Sequence, residues 1–465
     1  MISDSNIERI INAGIDGCAD LVEVYLEDIS IRGVSLLNGK TISATSHNGS
    51  GTGIRLMSGT NVIYVYSNDE DPDFLINMTK EAATALKSGD KGAITALEKQ
   101  CISTATVINI DPMKVPKKDM VDVLRKSSDY ALAYNDMITQ TKGSINVASG
   151  YIRVCNSRGV NKVEKKGNIR IVSSVIATNG NEKQTGSFSP GTRRGFEFIN
   201  EYPIIEKTQE ICDSAIRMAG AGYAPSGRMP VILGNGFGGV IFHEACGHAL
   251  EATSVGIKSS CFTDKLNKQI ASSIVNAYDN ARIEGEWGSY MTDDEGHESS
   301  NLQLIKDGIC VNYLIDELGS RRMNMPATGC SRRQNHKYAP TSRMSNTYIA
   351  NGNDNPKDII ADTEYGLYCT KMGGGSVDTS TGEFNFASSE AFIIRNGKIC
   401  EPVRGATLIG KGQEVLMDID RVGNDLELSA GACGSISGSV PVTVGQPTIR
   451  VSSMLVGGRD SSKEE

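Results

Sequence analysis

The 465-residue chain contains five histidines. Two of them fall in one short block, FHEACGHALEA, as His243-Glu244-x-x-x-His248. Neutral imidazoles are good transition-metal ligands, and a carboxylate beside a ligand is placed to take a proton from water. The block resembles the His-Glu-x-x-His zinc helix with one residue more. That extra residue has a geometric consequence. Residues of an α-helix advance by ~100°, so positions i and i+4 lie about 40° apart but i and i+5 about 140° apart. On a regular α-helix the two rings would not meet one ion. The spacing predicts a π-type turn, or unwinding near Gly247, that brings His248 round.

Two protein ligands are too few for a catalytic zinc, which takes three and keeps one position open. Periodicity does not choose the third among Cys433, His297, His336 and several acids. Cys433 stands in AGACGS, a glycine-rich stretch before the last strand, where a thiol could approach an ion closely and lose its proton to it. The ordinary reading of such a residue is a small buried cysteine. Arg343 and Tyr348 are candidates to assist an oxyanion. Gly373, Gly374 and Gly375 read either as a β-bulge or as an edge on which an extended peptide adds as a strand. A rival reading comes from Gly234-Asn-Gly236-Phe-Gly-Gly239, which fits G-x-G-x-x-G after the apolar run MPVIL. A dinucleotide site would need a βαβ unit that is not apparent here, and a turn admitting the histidine segment explains these glycines better.

These residues have to be positioned by a large frame. The length implies two or three domains. Ser5 and Glu8 read as a capping box ahead of a helix carrying Ile7, Ile10, Ile11 and Ile15. LVEVYLEDISIRGVSLL alternates like a strand, Asn38-Gly39 signals a type I′ hairpin, KTISATS returns, and GTGIRLMSGTNVIYVYS reads as a second hairpin. A helix is expected from Asp73 to Leu86. Pro112 and Pro116 mark a linker. Helix, strands around Ile152, Ile169 and Val172, and a helix from Glu206 to Ala219 follow, with TNGNEKQTGSFSPGTRRG as a polar loop. From Tyr365 onward, short strands punctuated by glycine read as an antiparallel sheet or barrel.

Hydrophobic residues make up 39% and charged residues 22%, which excludes wholesale disorder. The formal net charge of -8 argues against nonspecific nucleic-acid binding. Eleven dispersed cysteines, without a CxxC pair, read as reduced core residues. No apolar run is long enough to span a membrane. MISDSNIERI carries two acids by Glu8 and no apolar core, so no signal peptide is expected and a cytoplasmic location is.

FHEACGHALEA, DDEG (293–296), RMSNTY (343–348), GGGSVD (373–378), GATLIG (405–410), VGNDL (422–426) and CG…VPVTVGQPTIRV resemble, in order, the blocks of the TldD/PmbA family of peptidases. The resemblance implies an α+β fold, with N-terminal helix-and-antiparallel-sheet units followed by a β-rich C-terminal metallopeptidase domain. The expected divisions are 1–111, 112–226 as a substrate-framing scaffold, 227–455 as the catalytic domain, and a tail at 456–465, of which GGRDSSKEE (457–465) is expected to fray. It further implies one Zn2+ per catalytic chain, held by His243, His248 and Cys433, with Glu244 as general base. PmbA-type subunits lack the histidine motif, so this chain resembles the catalytic TldD type. Implied partners are a short or unfolded peptide and a second subunit, giving a homodimer or a heterodimer with a PmbA/TldE-like chain. After Cys433-Gly434 the family commonly has a basic residue and then Gly-Gln, whereas this chain has Ser435-Ile436-Ser437-Gly438, a departure that leaves the metal site intact and the family's substrate preference near this loop not carried over. The alternative function is a non-catalytic modulator with a structural zinc, which would need a fourth protein ligand and no base.

Overall fold

A computed structural model describes residues 2–86, 92–103 and 106–459. The fold is α+β, 23% helical and 45% strand. The N-terminal half is built on one eight-stranded sheet. Its centre is the Leu21–Leu37 strand, which pairs antiparallel with Lys40–Ser58 on one side and with Ile138–Asn156 on the other. The stretches before and after the linker therefore share a sheet. Asn38 and Gly39 both have positive φ (48° and 72°), as a type I′ turn requires. Helices Asp4–Asp16 and Pro72–Thr84 bury Ile7, Ile10, Ile11 and Leu75 against one end of the sheet. Lys117–Tyr134 and Ile204–Ala219 cover other parts of it.

Two local expectations are corrected. The first helix is capped by Ser3, whose hydroxyl accepts from Asn6 N at 3.4 Å. Ser5 and Glu8 lie inside the helix, two residues too late to form a capping box. The polar stretch after Thr178 is not a free loop: Asn161–Asn179 turns at Gly180 (φ 59°) into a strand, Glu182–Phe188, that pairs back along it. That strand runs against the Ile204–Ala219 helix, where Gly186 packs on Ile211.

The C-terminal half holds two larger sheets and a two-stranded pair, Ser331–Arg332 with Thr341–Ser342, rather than one sheet or barrel. In one, Gly227–Leu233 lies between Tyr365–Val377 and Ile449–Gly457. In the other, Asn346–Ile349 runs parallel to Gly438–Gln446, which forms a hairpin with Glu427–Ser435. Between these sheets, Phe242, Ala245, Cys246, Leu314, Met344 and Leu416 belong to the largest apolar core. The last strand runs through Gly457 and Arg459 sits over the Tyr223 ring, so fraying expected at 457–459 is not seen; residues 460–465 lie outside the described set.

DDEG joins the halves. Asp294 meets Lys166 at 2.7 Å and Glu295 meets Arg55 at 2.6 Å. Arg55 and Arg333 share Glu23 in the same buried network. Removing one partner would strand an uncompensated buried charge, so this network fixes the relative placement of the halves. Among the described residues no helix is long and apolar enough to cross a membrane.

Candidate metal centre

The Gly227–Leu233 strand leads into a run of changing helical pitch. A 3-10 turn at Gly236–Gly239 and one α-turn at Val240–Phe242 precede a π-turn at His243–Gly247 and a 3-10 turn at His248–Leu250. The π-turn that the five-residue spacing requires is present, with His248 N donating to His243 O. Two glycines let the segment press into its surroundings. A Cβ on Gly239 would stand 2.5 Å from Gly445 O, and one on Gly247 would stand 2.1 Å from Met344 Sδ. Buried against Gly445 and Gln446, the G-x-G-x-x-G turn leaves no opening for a pyrophosphate. The next strand of its sheet is Tyr365–Val377, so no compact βαβ unit follows, and the dinucleotide reading is set aside.

On this segment both imidazoles turn toward the Glu427–Ser435 strand. His243 Nε2 lies 3.2 Å from Cys433 Sγ, and His248 Nε2 lies 3.0 Å from the same sulfur. The three donor atoms all fall within 4.8 Å of one another. An ion at ordinary Zn–N and Zn–S distances in tetrahedral geometry sets its donors roughly 3.6 Å apart for N···S. The observed separations are a few tenths shorter, so a small spreading of the side chains admits an ion. Two nitrogens and one sulfur also form a donor set suited to zinc. The residues fit the metal.

The surroundings treat the two rings differently. Burial holds the His243 imidazole well below its usual pKa, so the ring is neutral, the form that ligates. On His248 burial acts in the same direction, but the Glu251 carboxylate, with help from Cys433, outweighs it and raises the pKa well above the usual value. Glu251 Oε2 is 3.1 Å from His248 Nδ1 and fixes which ring nitrogen faces the sulfur. Glu244 Oε2 stands 3.7 Å from His248 Nε2, and 28% of its side chain is exposed. Burial raises its pKa. Among the described residues it is the acid beside the three donors that solvent also reaches, Glu251 being 4% exposed.

Cys433 is held by its hairpin and by Arg343. The wholly buried Arg343 guanidinium donates to Cys433 O (2.6 Å), Ser437 Oγ (2.9 Å) and Gly438 O (2.9 Å). These three bonds commit Arg343 to the Cys433 hairpin, and its side chain is buried rather than open to solvent, unlike the oxyanion partner expected from the sequence. Tyr348 stacks on Tyr278 at 5.8 Å, and among the described residues it has no hydrogen bond to the donors. Gly373 and Gly374 form a bulge opposite the Glu383–Arg395 strand. On the other side, Gly227–Leu233 pairs only as far as Cys369, so the glycine stretch is also an open edge among the described strands. His336 is buried against Glu27 at 2.6 Å, His297 lies in the turn after Glu295, and neither joins the donor group. Sequence reasoning missed Glu251, whose signal was its place three residues after His248, and it misjudged what Arg343 holds.

Fold and donor cluster together define an α+β protein with a buried His-His-Cys centre between two C-terminal sheets. Residues 226–458 match the PmbA/TldA metallopeptidase C-terminal domain, 110–221 the central domain and 22–88 domain 1. The chain belongs to the PmbA/TldD family. A metalloprotease TldD homolog of Haemophilus influenzae is 32% identical over 458 residues, 94% of this chain and 93% of that one. A metalloprotease of Methanocaldococcus jannaschii is 31% identical over 461 residues, 97% and 99% of the two chains. The fold is shared with a Thermotoga maritima protein described as a candidate modulator of a DNA gyrase (TM-score 0.81, 17% identity, 97% and 99% coverage). It is also shared with TldE from Thermococcus kodakarensis (TM-score 0.77, 16% identity, 97% and 100% coverage).

Proposed function

We propose that the chain is a zinc-dependent peptidase acting on short or unfolded peptides, with His243, His248 and Cys433 as ligands and Glu244 as general base. The observation that carries this is the convergence of those three donors beside an acid that solvent reaches. When bound, zinc would supply Lewis acidity toward the scissile carbonyl and lower the pKa of water. Glu244 accepts the proton of the attacking water and returns it to the leaving amine. Glu251 orients His248, and Arg343 holds the Cys433 carbonyl so that the thiol stays on the histidine side. The open edge at Gly373–Gly375 would receive the peptide backbone, whose main-chain bonds ignore side-chain identity.

Relatives named metalloproteases over nearly the whole chain support hydrolysis. A homologue from Saccharolobus solfataricus carries the name zinc metalloprotease. The likeness to TldE supports a second subunit of related fold, in a homodimer or a heterodimer. The competing role, a modulator with a structural zinc, takes its support from the names of two solved neighbours. A donor group of three, with a carboxylate beside it, favours the enzyme, since a structural site closes with four ligands and needs no base. The test is Glu244→Gln with peptide cleavage mapped by mass spectrometry, with and without chelator. The variant should hold zinc like the wild type and cleave at least about a hundredfold more slowly. Cleavage at the wild-type rate would remove Glu244 from the mechanism.

A further inference from the structure

A cavity of about 120 Å³ lies where the N-terminal sheet meets the C-terminal half, apart from the donor cluster. Four cations line it, Lys166, Arg193, Arg332 and Arg333, against two carboxylates, Asp293 and Asp294. The carboxylates are already engaged. Asp294 binds Lys166 and the backbone of Arg333, and both oxygens of Asp293 accept backbone N–H groups of Glu295, His297 and Ser331. Arg333 has its own partner in Glu23.

Arg193 and Arg332 differ from it. Each donates to a backbone carbonyl, of Ser289 and Met344 respectively, and among the described residues neither has a carboxylate within 4.0 Å. Glu164, Asp279 and Asp294 act on them only at longer range. Burial pushes both guanidiniums below their usual pKa, whereas Arg55 and Arg333, beside carboxylates, are pushed up. A guanidinium stays charged in a protein, so two such groups facing one space call for a counter-anion. The space exceeds the roughly 30 Å³ share of one water several-fold, room enough for an oxyanion.

We infer that this cavity is an oxyanion site, taking a carboxylate or phosphate group between Arg193 and Arg332. An anion there ties a residue that follows the N-terminal sheet to one of the C-terminal half. Its wall includes Val440 and Pro441, which pair with Cys433 and Ala432, so occupancy also braces the hairpin bearing the thiol. The mouth lies beside half-exposed Ala148, Gly167 and Asn168 on the sheet.

The experiment is titration calorimetry of the full chain at fixed ionic strength. Its arms are inorganic phosphate, a short peptide with a free C-terminal carboxylate, and the same peptide amidated. The expected result is saturable one-to-one binding of phosphate, or of the free peptide more tightly than its amide. Arg193→Gln should weaken that binding at least about tenfold through loss of a charge-assisted bond, and Arg193→Lys should recover part of it. Asn168→Asp, at the half-exposed mouth, adds a repelling charge without disturbing the core and should weaken it several-fold. Binding of phosphate alone identifies an inorganic oxyanion; dependence on the free carboxylate identifies a peptide end. No binding of either by the wild type, or equal binding by the Arg193→Gln and Asn168→Asp variants, overturns the inference.

Discussion

Replacing Glu251 with glutamine tests whether the site is built to hold a cation. The Glu251 side chain is 4% exposed, and its Oε2 lies 3.1 Å from His248 Nδ1. The other oxygen has no partner among the described residues, so His248 is the main group that this buried charge serves. A glutamine keeps the volume and an acceptor for Nδ1–H but removes the charge; an alanine removes both. Loss of such support behind a ligating histidine weakens metal binding roughly 10- to 100-fold, about 1.4 to 2.7 kcal/mol. Glu251→Gln should fall at the low end, about tenfold, and Glu251→Ala at the high end, about a hundredfold. Zinc dissociation constants measured by competition with a chromogenic chelator would give both values, with circular dichroism confirming the fold. Activity per zinc bound should stay near wild type in Glu251→Gln, unlike Glu244→Gln, since Glu251 orients a ligand and carries no proton of the reaction. Wild-type zinc affinity in both Glu251 variants would refute the reasoning.

Three further outcomes are expected. Gly247→Ala puts a Cβ 2.1 Å from the buried Met344 Sδ, so it should cost about 1 to 3 kcal/mol of stability and loosen zinc as His248 shifts; thermal unfolding and chelator competition read these separately. At Gly374 a Cβ meets no atom within 4 Å, so Gly374→Val should leave the unfolding midpoint nearly unchanged while raising KM for peptides; unchanged KM would discard the edge as a docking strand. Burial and the neighbouring Glu295 push the Asp316 carboxyl up to about 7, so its folded form binds a proton that the unfolded chain releases near 3.9. The Asp316 contribution to stability therefore falls as pH rises from about 4 to about 7 and stays low above that. Asparagine can still accept from Gly319 N at this helix cap, so Asp316→Asn should raise the midpoint by roughly 2 °C at pH 8 and by less at pH 5. A gain no greater at pH 8 would contradict it.

The sequence makes local geometry legible where one residue type forces it. His243 and His248 at five-residue spacing demand a π-turn, and Asn38-Gly39 demands a tight hairpin. The same Asn-Gly signal at 179–180 is obscured because Glu182–Phe188 is polar on both faces, so no alternation marks it as a strand. Ser3 outcompetes Ser5 as a helix cap, a choice that depends on where the preceding chain turns. The pairing of Leu21–Leu37 with Ile138–Asn156 joins segments more than a hundred positions apart, and no local pattern encodes it. Cys433 was one of several possible donors on its own chemistry; only the resemblance of surrounding blocks singled it out. Arg343 looks like a substrate residue because its charge draws attention, yet burial commits it to three acceptors on the Cys433 hairpin.

The centre draws on distant parts of the chain. His243 and Cys433 are 190 positions apart, and Arg343, which sets the hairpin, comes from a third segment. Closing loops of that length is entropically costly, so the donors are held together by the packing of both C-terminal sheets rather than by local structure. An unfolded chain presents the same three side chains with no such arrangement, which makes metal affinity a property of the folded state and binding free energy a contribution to its stability. Stripping zinc with a chelator should therefore lower the unfolding midpoint of the C-terminal half. The same treatment should leave the midpoint of Cys433→Ser, already deprived of the sulfur, nearly unmoved. Equal shifts in both proteins would place the bound metal elsewhere.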